Sequence, residues 1–281
     1  MEKEKKIYLS TKDYLVTGKN FDLILNPEWQ LLETIPKPDA DELGKYYESS
    51  EYISHTDDRT GIFSRLYQLV KNWSLRKKVS IISEQNGSIG SVLDIGAGTG
   101  DFLKYAKSKG WDIYGVEPNN KASSLAFDKG VALEPNLEDF ECKKFDVITL
   151  WHVLEHLPDL EENISKITSM LKPNGSLIIA VPNFRSYDAY YYGKYWAAFD
   201  VPRHLWHFSR ESINLLFSSN FTIEKIEPMF FDSFYVSLLS EKYKSGRAFS
   251  IRAIWVGFVS NLKALRSKEY SSLIYCLRKL N

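Results

Sequence analysis

A glycine-rich turn between an apolar strand and a helix constrains the fold more than any other feature of this 281-residue sequence. Residues 92–95 are apolar except for Asp94, and Gly96-Ala97-Gly98-Thr99-Gly100 follows. Glycines let the backbone turn tightly and let a ligand approach the amides of a helix N-terminus without a Cβ in the way. The next apolar run ends at Glu117-Pro118, where a carboxylate can accept hydrogen bonds from both hydroxyls of a ribose. Loop and acid together predict a nucleoside-containing ligand at the carboxyl edge of a sheet; a tight turn beside a surface glutamate is the alternative.

Strand-like and helix-like segments alternate along the rest of the chain. Buried parallel strands are continuous apolar runs, and helices of about 10–15 residues between them are typical of right-handed βαβ units. The predicted strands are 91–95, 111–116, 131–133, 145–150, 176–181, 221–226 and 271–278, the last as an antiparallel edge strand. The predicted fold class is therefore α/β, a Rossmann-like doubly wound and mixed sheet of seven strands.

Two regions are expected along the chain. Residues 1–55 are predicted to form a small β-hairpin extension, because residues 7–35 alternate in polarity around a turn at 17–20. Residues 56–281 are predicted to form the main domain, with an aromatic lid at 184–208 and a helical insertion at 230–265. The large apolar residues at 249–265 favour a packing helix, and contact with a membrane surface or a second copy is the alternative.

Charge and cysteine content exclude several classes of protein. The 36 basic and 36 acidic residues cancel, so no global field favours nucleic acid or anionic lipid. The two cysteines form no Cys-x-x-Cys pair, which excludes a disulfide scaffold and a cysteine zinc finger. No apolar run approaches the ~20 residues of a membrane span, and the N-terminus lacks the apolar core of a signal peptide. We therefore expect a soluble cytoplasmic protein whose oligomeric state stays open.

The glycine loop resembles motif I of class I S-adenosylmethionine-dependent methyltransferases, which is Asp-x-Gly-x-Gly-x-Gly with its acid inside the strand. Asp94 is that acid, and Glu117 resembles the family's ribose-binding carboxylate. A dinucleotide fingerprint needs glycine or alanine where Asp101 stands, which disfavours an NAD-dependent oxidoreductase. The segments 137–139, 145–157 and 172–177 resemble later motifs of the family in the right order, so the resemblance covers roughly 60–230. It is strongest to the branch of quinone-pathway and other small-molecule O-methyltransferases.

The resemblance implies S-adenosylmethionine as the cofactor and a set of residues that bind it. These residues are Asp94, Gly96, Ala97, Gly98, Glu117, Pro118, Leu137, Glu138, Trp151 and His152. Asp94 and the glycines would hold the methionine portion, Glu117 the ribose, and Leu137 with Glu138 the adenine. Trp151 and His152 would close the site beside the transferred methyl group.

The acceptor side is predicted at 184–208, which holds ten of the chain's forty aromatic residues. A cover packed on its own core and a lid that excludes water are equally compatible with this density. The segment 200–208 resembles one that recurs in the same branch. His204 is the first candidate for a general base, with His207 and His152 as further catalytic candidates, and Arg203 could hold an anionic acceptor. A capping role for either histidine is the alternative.

Residues 152–156 match the His-x-x-Glu-His pattern of some zinc proteases. On a helix, positions 152 and 156 would share a face and could bind one metal. No metal is expected, because the segment directly follows a strand of the nucleotide-binding sheet and no third ligand is evident. A buried, hydrogen-bonded histidine pair is favoured over a catalytic or magnesium-linked role.

The sequence therefore predicts methyl transfer to an oxygen or nitrogen of a small molecule. Nucleic acid is a less favoured substrate, because the strand before 151 is not followed by an Asn/Asp-Pro-Pro-aromatic sequence that grips a flipped base. An NAD-dependent oxidoreductase and a non-catalytic cofactor-binding scaffold are the alternatives.

Overall fold

The computed structural model describes residues 6–39, 42, 46, 62–247 and 249–280. The strands are β1 (Ile7–Lys12), β2 (Asn20–Leu25), β3 (Leu32–Ile35), β4 (Ser91–Ile95), β5 (Asp112–Val116), β6 (Phe145–Trp151), β7 (Leu171–Pro182), β8 (Trp206–His207), β9 (Phe221–Pro228) and β10 (Ser272–Lys279). The α-helices are α1 (Ile62–Asn86), α2 (Asp101–Ser108), α3 (Asn120–Phe127), α4 (Leu160–Met170), α5 (Tyr187–Tyr192), α6 (Arg210–Phe217), α7 (Asp232–Ser245) and α8 (Ile251–Ser267).

The larger sheet has the strand order β5-β4-β6-β7-β10-β9. Its strands β5, β4, β6 and β7 are parallel neighbours, and α2 and α3 follow β4 and β5 in the chain as βαβ crossovers require. The centre of β4 and β6 is almost fully buried, which is why these strands have no polar alternation. The prediction of an α/β fold with a mixed, mostly parallel sheet is confirmed.

The sheet has six strands among the described residues instead of the predicted seven. The expected strand at 131–133 is reduced to a single parallel bridge between Glu134 and Val116. Pro135 and Pro118 follow the two segments at this point, and proline has no N–H to continue a ladder. Pairing therefore stops after one bridge.

The final strand, β10, is not the edge strand that the sequence predicts. It lies between β7 and β9, and β9 forms the edge. Its antiparallel direction to β9 follows from two backbone bonds, one from Met229 N–H to the Ser272 carbonyl and one from Leu280 N–H to the Asn220 carbonyl. Ser272 to Leu277 is buried, as expected for an interior strand.

The N-terminal strands form a second sheet of order β1-β2-β3-β8, antiparallel throughout. The hairpin of β1 and β2 lies where the alternating pattern predicts it. Its turn is held by the Asp13 carboxylate, which accepts hydrogen bonds from the amides of Leu15, Val16 and Thr17. The strand β8 belongs to the aromatic segment. It has only two residues, which is too short for an alternating pattern to be recognised in the sequence.

The described chain divides into two compact units. The first unit contains the described residues up to 46, 181–217 and those within 227–274, and the second contains 62–180, 218–226 and 275–280. Two helices, α7 and α8, lie where the apolar pattern over 230–265 predicts them. The helix α8 packs, as favoured, through its small residues such as Ala253 and Gly257, whereas its large residues Trp255, Phe258 and Leu262 are exposed. No helix of the described ranges is long and apolar enough to cross a bilayer.

Candidate cofactor and acceptor sites

The glycine loop joins β4 to α2 in the second unit with three residues in the left-handed region. Gly96, Gly98 and Gly100 have φ angles of +69°, +56° and +71°. A Cβ on Gly96 would lie 2.5 Å from Cγ2 of Val153, whereas a Cβ on Gly98 would meet nothing within 4 Å. Gly96 is therefore required by close packing, and Gly98 leaves the space above the loop open to a ligand.

The Glu117 carboxylate lies directly after β5 and is held from two sides. Its Oε2 accepts a hydrogen bond from the Gly98 amide at 2.8 Å, and its Oε1 accepts one from the Asn119 amide at 2.9 Å. An ionised carboxylate can accept about four hydrogen bonds, so two lone-pair positions remain for hydroxyl groups. The predicted loop and the predicted acid are thus joined by a direct hydrogen bond, and Pro118 follows on the exposed surface.

The Asp94 carboxyl is buried inside β4. It accepts a hydrogen bond of 2.6 Å from the Thr149 hydroxyl of the neighbouring strand β6. Burial raises the pKa of Asp94 to about 7, although the Thr149 hydrogen bond and the Lys78 charge oppose the rise. The fold therefore keeps an ionisable group where its charge is costly, next to the glycine loop.

Trp151 and His152 end β6 beside the same loop. The Trp151 ring packs edge-on against Phe102 with ring centroids 5.5 Å apart, and Lys78 Nζ lies 4.5 Å from its centroid. Its buried indole N–H has no hydrogen-bond partner among the described residues. His152 has a φ of +59°, and its amide donates to the Ala180 carbonyl of β7. A non-glycine residue in this conformation stores strain, which concentrates at functional sites.

The histidines of the His-x-x-Glu-His pattern do not share a regular helix. Leu154–His156 is a single 3₁₀ turn, and the left-handed His152 stands before it. The two histidines therefore do not have the i and i+4 arrangement of a regular α-helix. Glu155 is buried, and its Oε1 lies 3.3 Å from Nδ1 of the partly exposed His152.

The residues predicted near adenine line a groove of about 250 Å³ in the second unit. Leu137 and Glu138 belong to a 3₁₀ helix, Leu137–Phe140, that faces α4 across this groove. The Glu138 carboxylate is paired with Lys166 Nζ at 3.2 Å. Leu137 is half-buried, and Glu138 is exposed.

The aromatic segment of the first unit is largely core. Six of its ten aromatic residues are buried: Phe184, Tyr192, Trp196, Phe199, Trp206 and Phe208. Four of these pack with Phe21 and Leu23 of β2 in one apolar cluster. The structure thus supports packing on its own core for most of this segment.

Arg203 is buried in the first unit and already has two carboxylate partners. Its guanidinium lies 3.3 Å from Asp13 Oδ1 and 2.5 Å from Asp200 Oδ1, and it donates to the Tyr46 carbonyl. These neighbours, which outweigh the effect of burial, hold its pKa above the usual range. An anionic acceptor would have to compete with both carboxylates, so the residue chiefly joins β1 to the aromatic segment.

The hydrogen bonds of the two buried histidines define their tautomers. His204 Nδ1 lies 2.9 Å from the Ala198 carbonyl, which can only accept, so Nδ1 carries a proton. The Thr34 hydroxyl donates to the His204 carbonyl at 2.7 Å and must therefore accept from His207 Nε2–H at 2.9 Å. Burial and the neighbouring His204 hold the pKa of His207 well below its usual value. His207 is thus a neutral, structural hydrogen-bond donor.

Sequence reasoning missed two residues of the cofactor loop region. Thr149 contacts the Asp94 carboxyl, and Asn119 fixes the Glu117 carboxylate. Asn119 also caps α3, because its side chain accepts from the amides of Lys121 and Ala122. An Asx residue directly after Glu117-Pro118 is a recognisable capping signal, whereas nothing in the sequence marks Thr149.

Comparison with known proteins gives a consistent result. The methyltransferase-domain family model matches residues 71–225, more than half of the chain. A ubiquinone biosynthesis O-methyltransferase of Actinobacillus pleuropneumoniae is 33% identical over 125 residues, which are 39% of this chain and 53% of the relative. An uncharacterised methyltransferase of Geobacillus kaustophilus is 28% identical over 120 residues, 40% of this chain and 55% of the relative. The chain therefore spans about half the length of the curated relatives it matches.

Solved methyltransferase structures share the fold. A S-adenosylmethionine-dependent methyltransferase of Archaeoglobus fulgidus has a TM-score of 0.54 at 19% identity and covers 82% of this chain and all of its own. The plantazolicin methyltransferase, solved with S-adenosylhomocysteine, has a TM-score of 0.53 at 17% identity and covers 85% of this chain and 94% of its own. The predicted cofactor, S-adenosylmethionine, agrees with these findings, and NAD does not. The chain belongs to the methyltransferase-domain family, within the class I S-adenosylmethionine-dependent methyltransferases.

Proposed function

We propose that this protein transfers a methyl group from S-adenosylmethionine to an oxygen or nitrogen of a small molecule. The observation that carries the proposal is the Glu117 carboxylate, fixed by the Gly98 and Asn119 amides at the end of β5. Its two remaining lone-pair positions match the two hydroxyls of a ribose. The left-handed glycines beside it leave open space for a ligand at Gly98, where a Cβ would meet nothing within 4 Å.

The other cofactor contacts are assigned by the same proposal. Asp94 and the amides of the glycine loop bind the methionine portion, whose ammonium and sulfonium charges a carboxylate stabilises. Leu137 and Glu138 flank the adenine. Trp151 and His152 enclose the reacting methyl group, and the buried Trp151 N–H is available as a hydrogen-bond donor.

The bound cofactor supplies an activated methyl group whose departure leaves a neutral thioether. Little further chemistry is then needed from the protein, and positioning contributes most of the catalysis. His204 is the proposed base, because it lies in the segment 200–208 that resembles the family's acceptor side and its ring is held in place by the Ala198 carbonyl. Oxygen is the first acceptor atom to test, since one relative is named as an O-methyltransferase.

Calorimetry tests the cofactor site. Glu117→Ala should weaken S-adenosylmethionine binding by at least about tenfold, because each lost hydrogen bond to a charged group contributes roughly 1.5–3 kcal/mol. Glu134→Ala is the matched control, since this exposed glutamate contacts Glu117 only through backbone atoms. Unchanged affinity in Glu117→Ala, or tighter binding of NAD than of S-adenosylmethionine, would contradict the proposal.

A second experiment addresses the acceptor. Cell extract is incubated with the protein and a cofactor labelled in its methyl group, and the labelled product is identified by mass spectrometry. A small labelled product supports the proposal and shows whether oxygen or nitrogen is methylated. Cofactor binding without any labelled product would favour a non-catalytic scaffold.

A further inference from the structure

The helix α8 buries its small residues and exposes its large apolar ones. Its buried positions are Ala253, Val256, Gly257, Ser260 and Ala264. Its exposed apolar positions are Ile251, Ile254, Trp255, Phe258, Leu262 and Leu265, each 40–77% exposed, and we name these six the apolar stripe. At 3.6 residues per turn the stripe occupies an arc of about 100° directly opposite the buried face. This is the reverse of the usual arrangement in a surface helix.

The orientation of α8 is fixed by close packing and hydrogen bonds. A Cβ on Gly257 would lie 2.9 Å from Cα of Phe234, so α8 is tightly apposed to α7. The Ser260 hydroxyl donates to Asp188 at 2.6 Å, and the Asn261 amide donates to the Phe230 carbonyl at 2.9 Å. Turning the apolar stripe inward would break these contacts and leave buried polar groups unpaired. The exposure of the stripe is therefore built into the fold.

The charged residues around the apolar stripe are all of one sign. Between positions 242 and 268 every charged residue is basic: Lys242, Lys244, Arg247, Arg252, Lys263, Arg266 and Lys268. The whole chain has equal numbers of acidic and basic residues, so this segment departs sharply from the average. By helical spacing, Arg252, Lys263 and Arg266 lie along one flank of the stripe. An apolar face with aromatic residues and a basic flank matches an anionic lipid surface.

We propose that the apolar stripe and its basic flank dock this protein onto an anionic lipid bilayer, with α8 lying in the plane of the interface. A second copy packed antiparallel on the stripe fits less well, because the two-fold axis would then bring the basic flanks of both copies together. Nucleic acid would use the charges but leave the apolar side chains in water. The proposal concerns the first unit alone and is independent of methyl transfer.

Vesicle sedimentation tests the lipid preference. The full chain is mixed with vesicles of equal phosphatidylglycerol and phosphatidylcholine, and with vesicles of phosphatidylcholine alone. Binding to the anionic vesicles should be at least about tenfold stronger and should weaken as the salt concentration rises. Equal binding to both vesicle types, or binding to neither, would overturn the proposal.

Two variants distinguish vesicle binding through the apolar stripe from non-specific binding through any exposed apolar residue. Trp255→Asn with Phe258→Asn should reduce binding to the anionic vesicles by about tenfold or more, because both side chains are exposed and would enter the interface. Phe127→Asn is the control, since this equally exposed residue lies on α3 in the other unit and should change nothing. Circular dichroism checks that both variants fold. Full vesicle binding by the double variant, or a wild-type dimer in sedimentation velocity that the double variant abolishes, would refute lipid docking.

Discussion

Replacing Asp94 by asparagine should stabilise the protein at neutral to basic pH while removing affinity for the cofactor. The carboxyl is buried in β4, and burial raises its pKa to about 7 from a usual value of 3.8. The folded state therefore binds this proton more tightly than the unfolded chain does. Stability is greatest below the unfolded pKa and is lost as the pH rises from about 4 to about 7.

The size of the effect follows from the two pKa values. Relative to the stability at strongly acidic pH, the raised pKa removes about 2 kcal/mol at pH 5 and about 4 kcal/mol at pH 8. Asparagine does not ionise, and its carbonyl oxygen can still accept from Thr149. Its extra N–H donors add a cost of about 1–3 kcal/mol that does not depend on pH. The stability of Asp94→Asn relative to the wild type should thus improve by about 2–3 kcal/mol between pH 5 and pH 8.

Urea unfolding at both pH values measures this difference, and Asp112→Asn serves as a control for losing an exposed carboxylate from the neighbouring strand. Calorimetry should show that Asp94→Asn binds S-adenosylmethionine at least about tenfold more weakly at pH 8. Wild-type affinity should itself fall about tenfold from pH 8 to pH 6 as Asp94 takes up its proton. A stability difference that stays constant with pH, or an unaffected affinity, would refute the reasoning.

Three further predictions follow from the described contacts. Gly96→Ala should lower the melting temperature more than Gly98→Ala. Both substitutions cost roughly 1–2 kcal/mol of stability, because they place a Cβ on a left-handed residue, but only the Cβ at position 96 overlaps Val153. Equal losses of melting temperature in calorimetry would contradict the packing argument. Arg203→Met should cost about 3–5 kcal/mol in urea unfolding, because it removes the buried cation that faces the Asp13 and Asp200 carboxylates. Adding Asp13→Asn should recover part of this loss, and no recovery would exclude the ion pair as the cause. His204→Asn should lower kcat by about a hundredfold or more once an acceptor is known, while S-adenosylmethionine binding stays unchanged; a kcat like the wild type would exclude it as the base.

Sequence periodicity predicted the parallel sheet because apolar strands and capped helices follow one another at short range. The loop at 96–100 and the acid at 117 could be paired for the same reason, since consecutive strands of such a sheet are neighbours. The position of β10 could not be predicted in this way. Long-range packing determines that β10 pairs with β7 and β9. The residues of β10 themselves indicate only that the strand is buried.

The polar side chains of the first unit show the same limit. Arg203 was a reasonable candidate for binding an anion, but its partner Asp13 lies 190 residues away and no local pattern connects them. Composition also concealed a local asymmetry, because a net charge of zero averages over the basic segment around α8. The outward direction of the apolar stripe depends on tertiary hydrogen bonds, so periodicity shows an amphipathic helix without showing which face is inside.

The pairing of β3 with β8 has a consequence for how the protein is made. The hydrogen bond between Thr34 and His207 joins residues that are 173 positions apart in the chain, so it can form only after His207 has been synthesised. At about 5–20 residues per second, translation leaves roughly 10–35 seconds during which the nascent β1–β3 meander has an open edge. An unpaired edge of this kind is a site for wrong association, so a chaperone that shields the emerging N-terminus should matter more here than for a protein whose first strands pair locally.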